Sequence, residues 1–365
     1  MRTGVVVLTV AGLLGATAPA AVAAPSRDAV QEQLDALVGR FPAALASVTR
    51  GGHTVSLVAG SARLGSRVPV PADGRVRAGS NTKTFTAVVV LQLVAEGRVE
   101  LDAPIERYLP GLVPGGQAIT VRQLLQHTSG LPNYTEYLGL EDIAKLQHRY
   151  FEPHELLATA FAHPARFAPG TKWEYSNTNY VLAGLLIERV TGRPVAEQIT
   201  ERVIRKAGLR NTYWPSVGDQ GIQGPHPHGY ARSGGAVIDV TELDPSWGWA
   251  AGQLISTPGD LASFSRALLG GRLLPAAQLA EMRKTVEAPL LPGWRYGLGL
   301  FRVPLSCGGE YWGHGGDIHG YETRGGATDD GRAVGLAVTA LPGTFGNADE
   351  GAQAVLSTVD AAFCR

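Results

Sequence analysis

Strand-like patterns of hydrophobic and polar residues occur near both ends of the chain. Residues 44–50 and 53–60 are rich in β-branched side chains and are joined by two glycines, which predicts a β-hairpin. Residues 321–326 and 333–339 flank an Asp-Asp-Gly turn sequence, which predicts a second hairpin. Both ends of the chain are therefore expected to supply strands.

Between these hairpins the hydrophobic residues are mostly spaced as in helices. Residues 82–93 are apolar on nearly every side of a helix, which predicts a buried central helix. Shorter helices are predicted over residues 119–125, 181–190 and 260–269, where threonine caps or glycine stops mark an end. A last helix is predicted over residues 348–362.

These patterns predict an α+β fold, in which an antiparallel β-sheet is flanked by helices and a mainly helical subdomain is inserted beside it. The sheet subdomain would comprise about residues 30–80 and 285–365, and the helical subdomain about residues 81–284. Both belong to one expected domain, residues 24–365.

The first 23 residues predict a signal peptide rather than a part of the fold. Arg2 supplies a positive charge, an apolar stretch extends from residue 4 to about residue 18, and small residues precede a cleavage point after Ala23. A short N-terminal anchor is the alternative. No other apolar run approaches the roughly 20 residues of a membrane helix. We therefore expect a secreted, extracellular protein without a membrane anchor after processing.

Charge and composition exclude several kinds of partner. The 32 basic and 32 acidic residues are interspersed and give zero formal net charge, which argues against a nucleic acid or an anionic membrane surface. The nine histidines are scattered, and His226 and His228 lie in a Gly/Pro-rich loop without a further ligand, so no metal or other cofactor is predicted. The only two cysteines, Cys307 and Cys364, are expected to form a disulfide in an exported protein.

The first candidate for chemistry lies at the start of the predicted buried helix. Lys83 follows Ser80 by one helical turn and lies on the same face. A helix N-terminus and a partly desolvated lysine can remove the proton of a serine hydroxyl and stabilise the alkoxide. Random placement of 16 serines and 5 lysines gives about 0.2 such spacings, so a capped helix with a solvated lysine is the alternative.

Two further segments offer groups for proton transfer and substrate binding. Tyr175 and Asn177 lie two residues apart in a loop and are expected to face one pocket. There the tyrosine can exchange a proton with a reacting group, and the asparagine can bind a substrate amide. His314 can orient a bound group, and Gly315 and Gly316 let a ligand lie against the backbone. Taken singly, each segment is better explained as ordinary loop structure.

In combination, Ser80-x-x-Lys83, Tyr175-x-Asn177 and His314-x-Gly316 resemble the three active-site motifs of the penicillin-recognising serine enzymes. Residues 119–132 and 296–300 also resemble segments of that family, and the resemblance covers nearly the whole chain after the signal peptide. It is greatest to the soluble secreted D-alanyl-D-alanine carboxypeptidases and extends to class C β-lactamases. Class A β-lactamases fit less well, because their Lys-Thr-Gly box is absent.

The resemblance implies a role for each matched residue. Ser80 would be the nucleophile that forms an acyl-enzyme, and Lys83 would assist its deprotonation. Tyr175 would pass a proton to the leaving group, and Asn177 would hold the substrate amide. His314 would take the place of a lysine in the related β-lactamases. Whether the lysine or the tyrosine is the general base stays open at this point.

The resemblance also gives roles to residues outside the first two motifs. The backbone N–H groups of Ser80 and Asp317 would form the oxyanion hole, with Gly316 in the substrate-binding strand before it. Trp247 would line the pocket, although plain core packing explains it equally well. The expected pair of cysteines corresponds to a disulfide of the carboxypeptidases.

The chain departs from the carboxypeptidases where those enzymes hold the free carboxylate of their substrate. They use an arginine before the third motif and threonine hydroxyls within and after it. The corresponding residues here are Phe301, Gly315 and Asp317. An acidic substrate tail would gain little at such a site and would be repelled by the carboxylate. Arg302 is adjacent and could replace the missing arginine, but on a strand it is expected to point the opposite way. Arg324 is another candidate, without geometric support.

The leading expectation is a secreted serine hydrolase of the D-alanyl-D-alanine carboxypeptidase or penicillin-binding type. Its substrate would be a small molecule or peptide, such as a peptidoglycan stem peptide or a β-lactam, and the protein is expected to be a monomer. An esterase, D-amino-acid amidase or aminopeptidase on the same fold is the first alternative, favoured by the altered carboxylate pocket. A penicillin sensor or binding module without turnover is the second, against which the complete Ser-Lys-Tyr set argues.

Overall fold

The computed structural model describes Met1 and residues 27–364, so apart from Met1 the predicted signal peptide lies outside the described residues. The helices are α1 Arg27–Leu37, α2 Thr82–Ala95, α3 Val121–Leu125, α4 Ile143–Leu146, α5 Pro153–Phe161, α6 Thr178–Thr191, α7 Val195–Ile199, α8 Trp249–Gly252, α9 Pro258–Leu269, α10 Ala276–Met282 and α11 Ala348–Cys364. The strands are β1 Ala43–Arg50, β2 His53–Gly60, β3 Val76–Arg77, β4 Tyr230–Ser233, β5 Ala236–Asp239, β6 Ile255–Ser256, β7 Val286–Glu287, β8 Arg295–Tyr296, β9 Phe301–Pro304, β10 Glu310–Gly313, β11 Gly316–Ile318, β12 Tyr321–Ala327 and β13 Ala333–Val338.

Within residues 27–364, one antiparallel sheet of nine strands forms the body of the fold. β1 pairs with β2 on one side and with β13 on the other, where Ala44 lies opposite Val338. β12, β10, β9, β8 and β7 follow in that order, and β11 pairs with β12. Strands from both ends of the chain are therefore neighbours in one sheet, and the predicted α+β fold is confirmed.

Helices cover both faces of this sheet, which buries its central strands. Ala44 and Leu336 face an apolar cluster that includes residues of α1 and α11. Leu45 and Ala337 face the larger cluster that includes α2 and α9. Successive residues of a strand point to opposite faces, so β1 is apolar at nearly every position instead of alternating.

The central helix α2 is buried along most of its length, as its sequence predicts. Every side chain from Thr82 to Leu93 is buried, and the helix packs against α6, α8 and α10. A helix that is apolar on all sides has no stable position at a surface, so the fold closes around it. Its N-terminus thereby lies at the boundary between the helical region and the sheet.

The ends of several helices follow the predicted signals. Thr120 forms a capping box with Gln123 at the start of α3, and Thr257 caps α9. Gly192 ends α6 with φ of 69°, a conformation that favours glycine. The structure also contains α5, α10, the β4–β5 hairpin and the short strands β7 to β11, which the sequence patterns did not separate from loops.

Three further findings bear on the sequence predictions. Cys307 and Cys364 form the predicted disulfide, which ties the β9–β10 turn to the last turn of α11. No helix among the described residues is both long and apolar enough to cross a membrane. In the same part of the chain, no group of three or more His, Cys, Asp or Glu side chains is placed to hold a metal ion.

Candidate active site

Ser80 occupies a single 3₁₀ turn, Gly79–Asn81, that leads directly into α2. Gly79 has φ of 51°, which places the serine at the mouth of the helix rather than within it. The turn packs against β11, so Ser80 lies where the buried helix meets the sheet. The serine lines a cavity of about 440 Å³.

The amine of Lys83 is held directly behind this serine. Its Nζ lies 2.8 Å from Ser80 Oγ, 2.7 Å from Asn177 Oδ1 and 2.8 Å from the carbonyl oxygen of Ala251. Burial lowers the pKa of Lys83 well below its ordinary value, and the carboxylate of Asp317 only partly opposes this shift. When it is deprotonated, this amine can donate its two hydrogens to the two carbonyl oxygens and direct its lone pair to the Ser80 hydroxyl.

Tyr175 lies on the other side of the serine hydroxyl. Burial raises the pKa of Tyr175 well above 10, although a hydrogen bond with the Ser80 side chain partly opposes this effect. Lys83 Nζ lies 4.9 Å from the centre of the tyrosine ring. The phenol is therefore favoured over the phenolate, so the shifts favour Lys83 as the base and Tyr175 as the proton donor.

Asn177 links the first two motifs through its side chain. Its Oδ1 accepts from Lys83, while its Nδ2 lies 3.2 Å from Asn133 Oδ1 and 3.3 Å from Thr135 Oγ1. Tyr175 and Asn177 both line the cavity, whereas Ser176 between them points into the protein and bonds to the carbonyl oxygen of Pro132. The alternation expected for an extended segment therefore places both motif residues at the cavity.

The third motif brings His314 to the cavity as a neutral side chain. Its Nδ1 lies 2.5 Å from the Gly315 carbonyl oxygen, and its Nε2 lies 3.1 Å from the Tyr296 hydroxyl. Burial, aided by the positive charge that Lys83 carries when it is protonated, lowers the pKa of His314 to about 3. The histidine therefore occupies the third-motif position without supplying the positive charge of a lysine at neutral pH.

Gly316 allows the third motif to lie against the serine turn. A Cβ atom at Gly316 would lie 1.9 Å from the Ala78 carbonyl oxygen, so no other residue fits without a backbone shift. A Cβ atom at Gly79 would lie 3.1 Å from the backbone nitrogen of Asp317. The segments that carry the two predicted oxyanion-hole donors, Ser80 and Asp317, are thus adjacent.

An arginine that the sequence did not place lies beside this motif. Arg324 on β12 fills the space that a side chain at Gly315 would occupy, since a Cβ there would lie 2.6 Å from its Nη1. Its Nη2 lies 2.8 Å from both Asp317 Oδ1 and Glu322 Oε1. Burial disfavours the charged form of Arg324, but the attraction of the two carboxylates outweighs this effect and raises the pKa of the arginine. Arg302, as expected, points away and pairs with Glu310.

This arginine is paired with two carboxylates of the protein. Glu322 is only 1% exposed, and burial raises its pKa to about 7 against the influence of Arg324. The side chain of Asp317 is 56% exposed at the cavity. With both carboxylates ionised, the three side chains carry a net charge of −1, so the exposed member of the cluster presents a negative charge to a ligand.

The predicted site residues are therefore largely brought together. Ser80, Tyr175, Asn177, Trp247, His314 and Asp317 line the cavity. Lys83 lies behind the serine, and Gly316 lies behind the wall against Ala78. Trp247 is 7% exposed and its carbonyl oxygen accepts from the Tyr134 hydroxyl, so this tryptophan both packs in the core and faces the cavity.

His127 is a buried neighbour of the site to which the sequence gave no role. It has φ of 60° and its ring centre lies 4.3 Å from that of Tyr175. Its Nδ1 accepts from the Ser176 backbone N–H and lies 3.0 Å from Asn179 Nδ2. The histidine thus packs against the tyrosine ring and holds the neighbouring backbone at Ser176. His127 lies within residues 119–132, which resemble a segment of the family, and this resemblance was the available signal for a role.

The fold and this site define a serine hydrolase of the β-lactamase and penicillin-binding type. The model of the Beta-lactamase family matches residues 27–360, and the chain belongs to that family. It is similar to a D-stereospecific amidohydrolase from Streptomyces sp., with 40% identity, a TM-score of 0.84 and coverage of 93% of this chain and 99% of that chain.

Two other similar proteins carry related names. The D-amino acid amidase of Ochrobactrum anthropi SV3 is 29% identical, with a TM-score of 0.79 and coverage of 92% of this chain and 99% of that chain. Esterase EstB of Burkholderia gladioli is 34% identical over 204 residues, which are 52% of this chain and 51% of that protein. The chain spans about half the length of the curated relatives that it matches first.

Proposed function

We propose that this protein hydrolyses amides of D-amino acids through an acyl-enzyme on Ser80. The observation that carries the proposal is the exposed carboxylate of Asp317 beside an arginine that two carboxylates already engage. An amino-acid amide brings an α-ammonium group, which the exposed carboxylate of Asp317 attracts. A peptide ending in D-alanine instead brings a free carboxylate, and Arg324, the one lysine or arginine among the described residues that line the cavity, is already paired with Asp317 and Glu322.

The similarity to a D-stereospecific amidohydrolase supports the same choice. That likeness extends over 99% of the other chain at 40% identity, so it includes both the fold and the cavity. The D-amino acid amidase is similar over nearly its whole length as well. The expected D-alanyl-D-alanine carboxypeptidase activity has weaker support, because the residues that hold a substrate carboxylate in those enzymes are replaced here.

The proposed reaction assigns one step to each placed side chain. Neutral Lys83 takes the proton of Ser80, whose oxygen attacks the amide carbonyl carbon. The backbone N–H groups of Ser80 and Asp317 stabilise the resulting oxyanion, each by about 3 kcal/mol. The C–N bond then breaks while Tyr175 gives its proton to the departing nitrogen and recovers a proton from Lys83. Water attacks the acyl-enzyme and releases the D-amino acid.

Ester hydrolysis is a second candidate activity on the same residues. The resemblance to Esterase EstB favours it, and so does the apolar cavity wall that includes Phe301. An ester of a D-amino acid would form the same acyl-enzyme with a better leaving group, so we expect the protein to accept both bond types.

A panel of four substrates tests the proposal. We expect D-phenylalaninamide to be cleaved faster than L-phenylalaninamide and faster than a peptide ending in D-Ala-D-Ala, with Ser80→Ala inactive on all. N-acetylation of the D-amide should reduce kcat/KM about tenfold, since it removes the ammonium charge, and Asp317→Asn should shrink that difference. Preferred cleavage of the D-Ala-D-Ala peptide would overturn the proposal in favour of a carboxypeptidase.

We also propose that the protein is exported. The charge and hydrophobic pattern of residues 1–23 supports this, and so does the disulfide between Cys307 and Cys364, because disulfides persist in oxidising compartments. Recovery of the protein from the culture medium with an N-terminus near residue 24 is the expected result. Retention in the cytoplasm with the first residues intact would contradict it.

A further inference from the structure

The cavity that contains Ser80 does not end at its aromatic wall. A second cleft of about 390 Å³ adjoins it, and the two share a set of mainly apolar lining residues: Leu291, Trp294, Val303, Tyr311 and Leu356. The second cleft extends along α11 to Asp360 and Cys364, and we call it the α11 groove. The cavity at the serine and the groove therefore adjoin along these five residues.

The shared wall is suited to an apolar ligand. Trp294 and Phe301 meet edge to face with ring centres 5.3 Å apart, and Tyr296 meets the same phenylalanine at 4.5 Å. Leu290 and Leu291, in the loop between β7 and β8, are 53% and 40% exposed at the rim. Large aliphatic side chains exposed together beside a cavity are typical of a surface that a ligand covers.

The far end of the groove is polar, and polar groups there bond to one another. The Ser306 backbone N–H donates to Asp360 Oδ1 at 2.8 Å, and the disulfide lies alongside. The described residues lining the groove include no lysine or arginine, so an anionic tail gains no partner there. An extended, uncharged chain matches this groove, with its hydrophobic part against the shared wall.

Ring contacts connect the proposed proton donor to the aromatic wall that the cavity and the groove share. Tyr175, the proposed proton donor to the leaving nitrogen, lies 6.2 Å from His314 between ring centres. His314 lies 5.1 Å from Phe301, which in turn adjoins Trp294 at the shared wall. Trp247 packs instead against His319 at 5.8 Å. The ring contacts therefore run from the proposed donor to the wall that the cavity and the groove share.

We propose that the α11 groove binds the amine portion of the substrate, so that the preferred substrates are secondary amides of D-amino acids with long apolar amines. This inference rests on the proposed function and adds the class of leaving group to it. The bond broken is again the C–N bond of the amide. The apolar amine departs with the proton from Tyr175, and water releases the D-amino acid from Ser80.

A series of D-phenylalanine n-alkylamides, from methyl to octyl, tests this proposal. Each methylene that enters the groove should raise kcat/KM by up to about fourfold, which corresponds to about 0.8 kcal/mol, until the groove is filled. Leu356→Asp should flatten this dependence on chain length. Gln353→Asp places the same charge on an exposed position of α11 outside the groove lining and should leave the dependence intact.

Two further measurements separate this proposal from its alternatives. A series of p-nitrophenyl alkanoates lengthens the acyl group instead, and a chain-length gain there, without one in the alkylamide series, would overturn the leaving-group assignment. Binding of n-octylamine and n-butylamine to Ser80→Ala, measured by calorimetry, requires no turnover. If octylamine binds more tightly than butylamine, and Leu356→Asp removes this difference, the groove is supported even where D-phenylalaninamide is not cleaved. If D-phenylalaninamide is cleaved but kcat/KM does not change with the length of the alkylamide, the proposed role of the groove is refuted and the proposed amidase function is not.

Discussion

The protonation state of Lys83 follows from its surroundings rather than from its place in a motif. The side chain is wholly buried, and its three polar neighbours are one hydroxyl and two carbonyl oxygens. Asp317 is the nearby carboxylate that favours the charged form, and burial outweighs it. A neutral amine next to Ser80 is the arrangement that a general base requires.

This assignment predicts the pH dependence of kcat/KM. The amine is protonated below its lowered pKa and neutral above it, so activity should rise as the pH increases through that pKa and then level off. Lys83→Arg keeps a protonated group at every accessible pH, so its kcat/KM should fall by about 10²- to 10⁴-fold. The rise of activity with pH through the pKa of Lys83 should also disappear. Activity that appears only in the ordinary pH range of lysine ionisation would contradict the assignment.

The proposed role of Tyr175 predicts a difference between leaving groups. An amine needs a proton to depart, whereas p-nitrophenolate does not. Tyr175→Phe should therefore reduce hydrolysis of D-phenylalaninamide by about 10²- to 10⁴-fold and hydrolysis of the p-nitrophenyl ester of D-phenylalanine much less. Steady-state kinetics on both substrates checks this. Equal losses on the two would show that the tyrosine is needed for attack by Ser80 instead.

At the same scale, sequence could predict some residues of the site but not others. Ser80, Lys83 and Tyr175 lie in motifs of short fixed spacing, so a resemblance is enough to find them. Arg324 occupies space at the cavity that a side chain at Gly315, just before β11, would fill. This relation depends on how β11 and β12 pair, which no short motif records, and it affects the charge that the cavity presents.

Among the elements, the approach of β11 to the serine turn sets the geometry of the site. β11 is only three residues long, and it lies against Gly79–Asn81 through Gly316. The positions of the Ser80 and Asp317 backbone nitrogens both depend on this contact. A displacement of about 1 Å at such a contact can reduce the rate by about 10²-fold.

Gly316→Ala tests this contact. The added methyl group would lie 1.9 Å from the Ala78 carbonyl oxygen, so we expect a loss of about 1–3 kcal/mol in unfolding free energy and a reduced kcat. Gly346→Ala is the matched control, since a Cβ there meets nothing within 4 Å, and it should change stability by less than about 0.5 kcal/mol. Wild-type kcat in Gly316→Ala would show that the contact does not position the site.

The elements that sequence predicted are those with strong local signals. The β12–β13 hairpin has its Asp-Asp-Gly turn, and α6 has Gly192 at its end. The strands β7, β8 and β11 have only two or three residues each, which is too short to show a periodic pattern. Those short strands carry part of the cavity wall, so the site was less predictable than the sheet.

On the scale of the whole molecule, both ends of the chain close one sheet, and a disulfide secures the C-terminal helix to it. Cys307 and Cys364 enclose a loop with a sequence separation of 57 residues. A cross-link of this length restricts the unfolded chain and is expected to contribute about 2–4 kcal/mol. The predicted monomeric state, by comparison, stays a prediction.

The double variant Cys307→Ser/Cys364→Ser tests the contribution of this disulfide. We expect its free energy of unfolding, measured in guanidinium chloride, to fall by about 2–4 kcal/mol. The wild-type protein measured under reducing conditions should approach the variant. An unchanged unfolding midpoint in both experiments would show that helix packing alone secures α11.

The central claim, acyl transfer through Ser80 with a preference for D-amino acids, is tested most directly by trapping the acyl-enzyme. The protein is mixed with the methyl ester of D-phenylalanine, quenched with acid within its first turnovers and examined by intact-mass and peptide-mapping mass spectrometry. We predict one added phenylalanyl group on the peptide that contains Ser80, a much smaller adduct with the L-ester, and none in Ser80→Ala. An adduct on another residue, or undiminished ester turnover by Ser80→Ala, would contradict the account.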